Sequence, residues 1–218
     1  MDPIGWYYQR RSLNAMVQNK WEEAERFLLK QIAHKGTSMG LQYNLALIYL
    51  GQERRQDAYD TLLSCADTYG ESLRLCRMLG DIQYIKGERL GAIRWYTTAL
   101  SDGPDAKEAK LISKRITVLE DESRYQRVLA NQEDVEQARL LFTTKPEQAL
   151  ELYLRVVKDD PTHVEALNNL GSLYLDEFHD AKKAEAYFMK VLELVDSSAA
   201  AKNLAKARKE NQEKKSKA

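Results

Sequence analysis

Leucine, alanine and aromatic positions recur along the chain at spacings of three and four, between runs of charged and amide residues. That is the period of an amphipathic helix rather than the two-residue alternation of a half-buried strand. The stretch NNLGSLYLDEFHDAKKAEAYF, residues 168–188, shows it clearly: Leu170-Gly171, then Tyr174, then Ala184, then Tyr187-Phe188. A tiny residue with an aromatic three positions on places both on one helix face. The tiny residue lets a second helix approach, and the aromatic fills the space beside it. The layout repeats. Ala24, Ala58 and Ala92 lie 34 residues apart, and twelve residues upstream of each stands a small residue: Ser12, Ala46 and Gly80. Leu45 precedes Ala46 and Tyr49 follows it by three; Leu79 precedes Gly80 and Tyr84 follows it by four. Each unit is predicted to be two antiparallel helices joined by a short turn. One such pair cannot bury its apolar face alone, so the units must stack and share a core.

This layout resembles the tetratricopeptide repeat family, whose period is 34 residues. Residues 73–106 carry the resemblance best, through Leu79-Gly80, Gly87, Ala92, Tyr96, Ala99-Leu100 and Pro104. Residues 39–72 carry Leu45-Ala46, Tyr49, Ala58, Leu62 and Cys65-Ala66. Residues 130–163 match in their second half, with Ala149, Tyr153, Val156-Val157 and Asp160-Pro161; residues 164–197 match with one extra residue in the turn; residues 5–38 match weakly, through Trp21, Ala24 and Leu28. The resemblance implies an all-α, right-handed α-solenoid of helix hairpins.

The phase breaks once. Ala92 to Ala149 is 57 residues, 23 more than one period, which isolates residues 107–129. Ile112, Ile116 and Leu119 predict a helix there, the EDES stretch at 120–123 predicts an end or bend with Ser123 as N-cap, and Tyr125, Val128 and Leu129 resume an apolar face. The segment either adds a helix to the stack or extends to separate two lobes; its high charge favours the second. The expected organisation is a lobe of three hairpins over residues 5–106, the inserted segment over 107–129, and a lobe of two hairpins over 130–198. Val135, Ala138, Leu141 and Phe142 open the second lobe, and Lys145-Pro146 lies in its first turn, where proline suits the start of a helix. Residues 199–218 read as a capping helix with a thin apolar stripe of Ala200, Leu204 and Ala207, followed by a disordered end, NQEKKSKA.

Composition narrows the chemistry. Lys plus Arg and Asp plus Glu both number 33, so there is no general attraction to nucleic acid or anionic membrane. A local excess of five positive charges lies between Lys202 and Lys217, and a solvated tail accounts for it more simply than contact with RNA or acidic lipid. Cys65 and Cys76 fall among apolar neighbours without a CxxC pair, which predicts buried thiols rather than a disulfide or zinc site. No run approaches the length of a membrane helix and the first residues lack the apolar core of a signal peptide, so a cytoplasmic location is expected. The alternative is the soluble part of an anchored or exported protein whose leader was removed. His34, His163 and His179 are scattered, and no phosphate loop, nucleophile elbow or metal motif is present. No enzyme activity, cofactor or metal is expected.

What remains is surface. In the family that the repeats resemble, the first helix of each hairpin lines a concave groove. The resemblance thereby assigns to the groove Trp6, Gln9 and Leu13 in the first unit; Tyr43, Asn44 and Leu47 in the second; Arg74, Arg77, Asp81 and Tyr84 in the third; and Glu165, Asn168, Asn169 and Ser172 in the last. Some relatives clamp a partner's C-terminal carboxylate with Lys, Asn and Arg. Asn44 and Arg74 stand at matching positions, while Gln9, Leu13 and Met78 depart from that set. The expected function is a non-catalytic adaptor or scaffold holding a peptide or partner segment, acidic or C-terminal, in this groove. The alternative is a structural subunit that self-associates or joins a larger assembly through its helix faces. Trp6 and Tyr7-Tyr8 serve equally well as packing for the first hairpin.

Overall fold

The computed structural model describes residues 2–216. Every regular element among them is helical. The chain divides into two compact units, residues 1–102 and 103–218.

The first unit holds three hairpins: α1 (Pro3–Val17) with α2 (Trp21–Lys35), α3 (Met39–Gly51) with α4 (Arg55–Tyr69), and α5 (Leu73–Lys86) with α6 (Arg89–Ser101). The small-residue positions do what the spacing requires. Ser12 is buried and its hydroxyl donates to the Ala24 carbonyl at 3.0 Å, so the small residue of the first hairpin itself hydrogen-bonds to the second helix. Ala46, Ala58 and Ala92 are fully buried. A methyl group at Gly80 would lie 2.7 Å from the Tyr96 ring, so the two helices of the third hairpin touch at that glycine. Stacking follows the same logic: Leu28 of α2 and Ile48 of α3 share one apolar cluster, and the Trp21 ring lies against Gly51. Each hairpin turn passes through a left-handed residue at one repeat position, Asn19, Glu53 and Gly87, spaced by 34. Glycine reaches that conformation freely; glutamate at φ 61° does not. Both thiols, Cys65 and Cys76, are buried and outside any disulfide, and removal from solvent pushes both thiol pKa values up.

The first helix is fixed at its start by one carboxylate. Asp2 caps α1 by accepting from the Gly5 amide at 2.9 Å, and it meets His34 Nε2 at 3.1 Å and Lys35 Nζ at 3.3 Å at the end of α2. The Gly5 amide bond, reinforced by the His34 and Lys35 contacts, lowers its pKa to about 2 from 3.8. A depressed carboxylate pKa adds stability that is complete above the unfolded value and lost as pH falls through the folded one. The window is therefore between about 4 and 2. A carboxyl-shift titration should place the Asp2 midpoint near 2, and Asp2→Asn should flatten the loss of stability in that window. A midpoint at the ordinary value would contradict this account.

The second unit begins with the inserted segment. It forms two helices, α7 (Ala106–Glu120) and α8 (Glu122–Ala130), broken at Asp121. Asp121, and not Ser123, is the N-cap: its carboxylate accepts from the Arg124 amide at 2.9 Å, and the Ser123 hydroxyl donates to the same carboxylate. Despite its high charge, the segment buries an apolar face. Leu111, Ile112, Val118, Leu119, Tyr125 and Val128 are all buried. Lys107 and Lys110 pair with Asp196 and Glu193 at the far end of the unit.

Then come α9 (Gln132–Leu141), α10 (Pro146–Asp159), α11 (Val164–Ser172) with a π-helical turn (Leu173–Glu177), α12 (Ala181–Leu194) and α13 (Ser198–Ser216). Pro146 opens α10 as expected. The extra residue of the last hairpin is absorbed by the π turn, which shifts the left-handed turn residue one place on, to His179. Gly171 meets the Phe188 ring, where a methyl group would lie 2.6 Å away. α13 seats Ala200, Leu204 and Ala207 on the core. It continues as helix through Ser216, which corrects the expectation of a disordered end from residue 211; residues 217 and 218 lie outside the described residues. Two of its basic side chains pair within the unit: Lys206 with Asp176 at 2.7 Å and Arg208 with Glu185 at 2.9 Å.

Candidate functional site

Groove positions on α1, α3 and α5 follow the repeat register. A shift of 34 carries Trp6 to Gly40 and Arg74, Gln9 to Tyr43 and Arg77, and Leu13 to Leu47 and Asp81. The structure brings several of them together. A hollow of ≈ 560 Å³ in the first unit is lined by Gln9 of α1, by Tyr43 and Asn44 of α3, by Arg74 of α5 and by the turn between α2 and α3. The Arg74 guanidinium lies 3.9 Å from the centre of the Tyr43 ring, a cation–π stack that holds it over the hollow. Among the described residues no carboxylate pairs with Arg74. The charged residues that line the hollow are Lys35 and Arg74, both cations. Lys35 shares its charge with Asp2; Arg74 keeps its own.

A second hollow, ≈ 460 Å³, lies on α1 itself and is lined by Trp6, Gln9, Arg10, Leu13 and Asn14. Gln9 borders both. Trp6 is 52% exposed with the Arg10 guanidinium over its ring at 5.2 Å. Its neighbours Tyr7 and Tyr8 belong to the packing of the first hairpin instead, since both rings meet Phe27.

The remaining assigned residues stand elsewhere. Tyr84 is buried at 5% exposure and its ring tilts against Tyr96 at 6.5 Å, so it serves the core of the third hairpin rather than the groove surface. Arg77 and Asp81 face each other at 3.8 Å, one helical turn apart, and Asp81 also accepts from the Tyr96 hydroxyl at 2.8 Å. Leu47 is half-buried on α3 and lines neither hollow. In the second unit, Asn169 donates to the Tyr153 hydroxyl at 2.9 Å, so that amide is already engaged. Asn168 is half-buried, with its side-chain oxygen out of solvent and not hydrogen-bonded. Glu165 pairs with Arg139 at 2.7 Å.

Sequence reasoning missed Lys35 and the backbone of residues 36–41, which form one wall of the larger hollow. Lys35 ends α2, which is not a first helix, and residues 36–38 form the turn between hairpins, so a register of first-helix faces assigns nothing there. It also missed a buried polar cluster in the second unit. Asp159 accepts from Arg127 and from buried Asn131, both at 3.0 Å, and Arg124 donates to the Asp159 carbonyl at 2.7 Å. Among the described residues no cluster of His, Cys, Asp or Glu has the makings of a metal site, and no helix is long and apolar enough to cross a membrane.

Comparison with known proteins agrees with this architecture. A tetratricopeptide repeat family model matches residues 152–190, from the second half of α10 through most of α12. No curated protein sequence matches the chain. Among solved structures, MamA (residues 41 to the end) from Desulfovibrio magneticus superposes with a TM-score of 0.51 at 16% identity, covering 89% of this chain and 96% of that one. A tetratricopeptide repeat protein from Parabacteroides merdae gives 0.50 at 16% identity, covering 97% and 88%. At these identities the likeness is one of fold. Residues 152–190 are thus a tetratricopeptide repeat, and the chain is an all-α protein of the tetratricopeptide-repeat fold.

Proposed function

We propose that the protein is a non-catalytic interaction scaffold whose first unit binds an acidic peptide segment of another protein. The observation that carries this reading is the hollow between α1, α3 and α5. Its charged lining is cationic only, in a chain whose total charge is zero. Arg74 is held there by Tyr43 without a carboxylate of its own. A carboxylate entering the hollow would find a pre-positioned guanidinium, the Lys35 ammonium and the amides of Gln9 and Asn44. Stacking on Tyr43 fixes the guanidinium beforehand, so little side-chain freedom is lost on binding. Charge-assisted hydrogen bonds of this kind contribute about 1.5–3 kcal/mol each.

Fluorescence anisotropy with a labelled peptide rich in Asp and Glu tests the reading. Arg74→Glu should weaken binding at least tenfold, roughly the loss of one such bond, and added salt should weaken binding to the wild type. Equal affinity of wild type and Arg74→Glu would refute this location for the site.

A further inference from the structure

The stripe on α1 has no role in the hairpin core. Trp6, Leu13 and Val17 fall within about 40° of one another around the helix at 100° per residue. They are 52%, 43% and 85% exposed. The buried face of the same helix is carried by Gly5, Ser12 and Ala15. Along the repeat register the character of the groove changes from helix to helix. It is apolar on α1, mixed on α3 with Tyr43 and Leu47, and charged on α5 with Arg74, Arg77 and Asp81. Gln9 borders both the hollow beside Trp6 and Leu13 and the cationic hollow beside Arg74, so the two are neighbours on one surface.

We infer that the partner segment is bipartite. A carboxylate-bearing stretch sits beside Arg74, and a large apolar side chain next to it in sequence sits against Trp6 and Leu13. This rests on the peptide-binding reading above and adds to it the second half of the motif and its direction across the unit. Charge complementarity selects the occupant. Both hollows are lined by cations and by no carboxylate: Lys35 and Arg74 in one, Arg10 in the other. A second copy of the chain fits less well. The three exposed side chains of the stripe offer on the order of 300 Å² of apolar surface, short of the apolar share, roughly 450 Å², of the about 800 Å² per partner of a stable interface. A peptide needs no such area: one buried anchor and a few charge-assisted bonds carry most of the energy of small interfaces.

The test uses the full chain and two labelled peptides of about ten residues, each able to span roughly 33 Å when extended. Both carry four acidic residues in a Gly-Ser background; one also carries a Leu-Trp pair beside them. The Leu-Trp peptide should bind about tenfold more tightly. Trp6→Ser with Leu13→Ser should remove that advantage and leave the acidic-only peptide unchanged, while Arg74→Glu should weaken both. Far-UV dichroism of each variant keeps a folding defect distinct from a binding one. Equal binding of the two peptides to wild type, with Arg74→Glu still weakening both, would overturn the bipartite motif and leave the acidic site standing. No dependence on Arg74 for either peptide would overturn the acidic site as well. A dimer seen by sedimentation and abolished by the Trp6/Leu13 variant would also overturn the inference, by assigning the stripe to self-association.

Discussion

Gly171→Val is expected to destabilise the second unit by about 3 kcal/mol, the upper end of ordinary overpacking costs. Two effects oppose each other at this position. Glycine in a helix interior is about 1 kcal/mol worse than alanine, so any side chain gains something from propensity. Against that, the first carbon added would lie 2.6 Å from one carbon of the Phe188 ring and 2.8 Å from two more. The ring cannot move aside, because Phe188 is fully buried within the cluster that joins α10, α11 and α12. The overlap therefore wins, already for Gly171→Ala, where a net loss of about 1–2 kcal/mol is expected. Urea unfolding followed by far-UV dichroism measures the loss, and hydrogen exchange at the α11 and α12 amides locates it. The sharper check is the double variant. Phe188→Leu alone leaves a void and costs stability, but combined with Gly171→Ala it removes the overlap, so the pair should cost less than the sum of its members. Strict additivity would mean that Gly171 and Phe188 do not set the approach of the two helices.

The same contact explains why the fold could be read from residue types. A helix hairpin is held by opposition of small and large side chains, and these recur at a fixed period because every hairpin has the same shape. Gly80 against Tyr96 and Gly171 against Phe188 are two instances of one solution. Ser12 solves the same problem with a hydroxyl, which is why the first unit resembled the others so weakly. The site was legible only in part. The family resemblance assigns Gln9, Tyr43, Asn44 and Arg74 to one groove face, and all four line one hollow. The resemblance misplaced Tyr84, because a position on the rim of the groove can turn its ring inward when a neighbour such as Tyr96 offers contact. For Trp6 the residue types leave groove and hairpin packing equally open, for a similar reason. Adjacent aromatics Trp6, Tyr7 and Tyr8 point in directions 100° apart, and only the last two reach Phe27.

Least legible was the anchoring of the inserted segment, and a single substitution there should have a comparable effect. Asp159 and Asp160 stand at the C-terminal end of α10, where the helix dipole disfavours negative charge. Both are nonetheless buried. α8 supplies what makes this tolerable. Arg127 and Asn131 each donate to one oxygen of Asp159, and Arg124 donates to the main-chain carbonyls of Asp159 and Lys158, which a helix end leaves unsatisfied. Asp160 turns the other way, accepting from the amide and hydroxyl of Thr162, whose hydroxyl also receives Arg115 from α7. The partners of Asp159 are not close in sequence: Asn131 and Arg127 lie 28 and 32 residues before it. No periodic pattern announces them. Asp159→Ala should cost about 2–4 kcal/mol, somewhat below the full penalty of breaking a buried pair, because Arg127 is half exposed and can return to water. Buried Asn131 cannot, and its stranded amide carries most of the loss. Asp159→Asn should cost about 1–2 kcal/mol, since one oxygen still accepts while the new amide opposes that of Asn131. Hydrogen exchange should show the Asp159→Ala defect as faster opening of α8 and the end of α10, with α1–α6 unaffected. A variant within about 0.5 kcal/mol of wild type, the spread of ordinary surface changes, would mean that α8 is held by its apolar face, through Tyr125 and Val128, and that the polar cluster merely accompanies it.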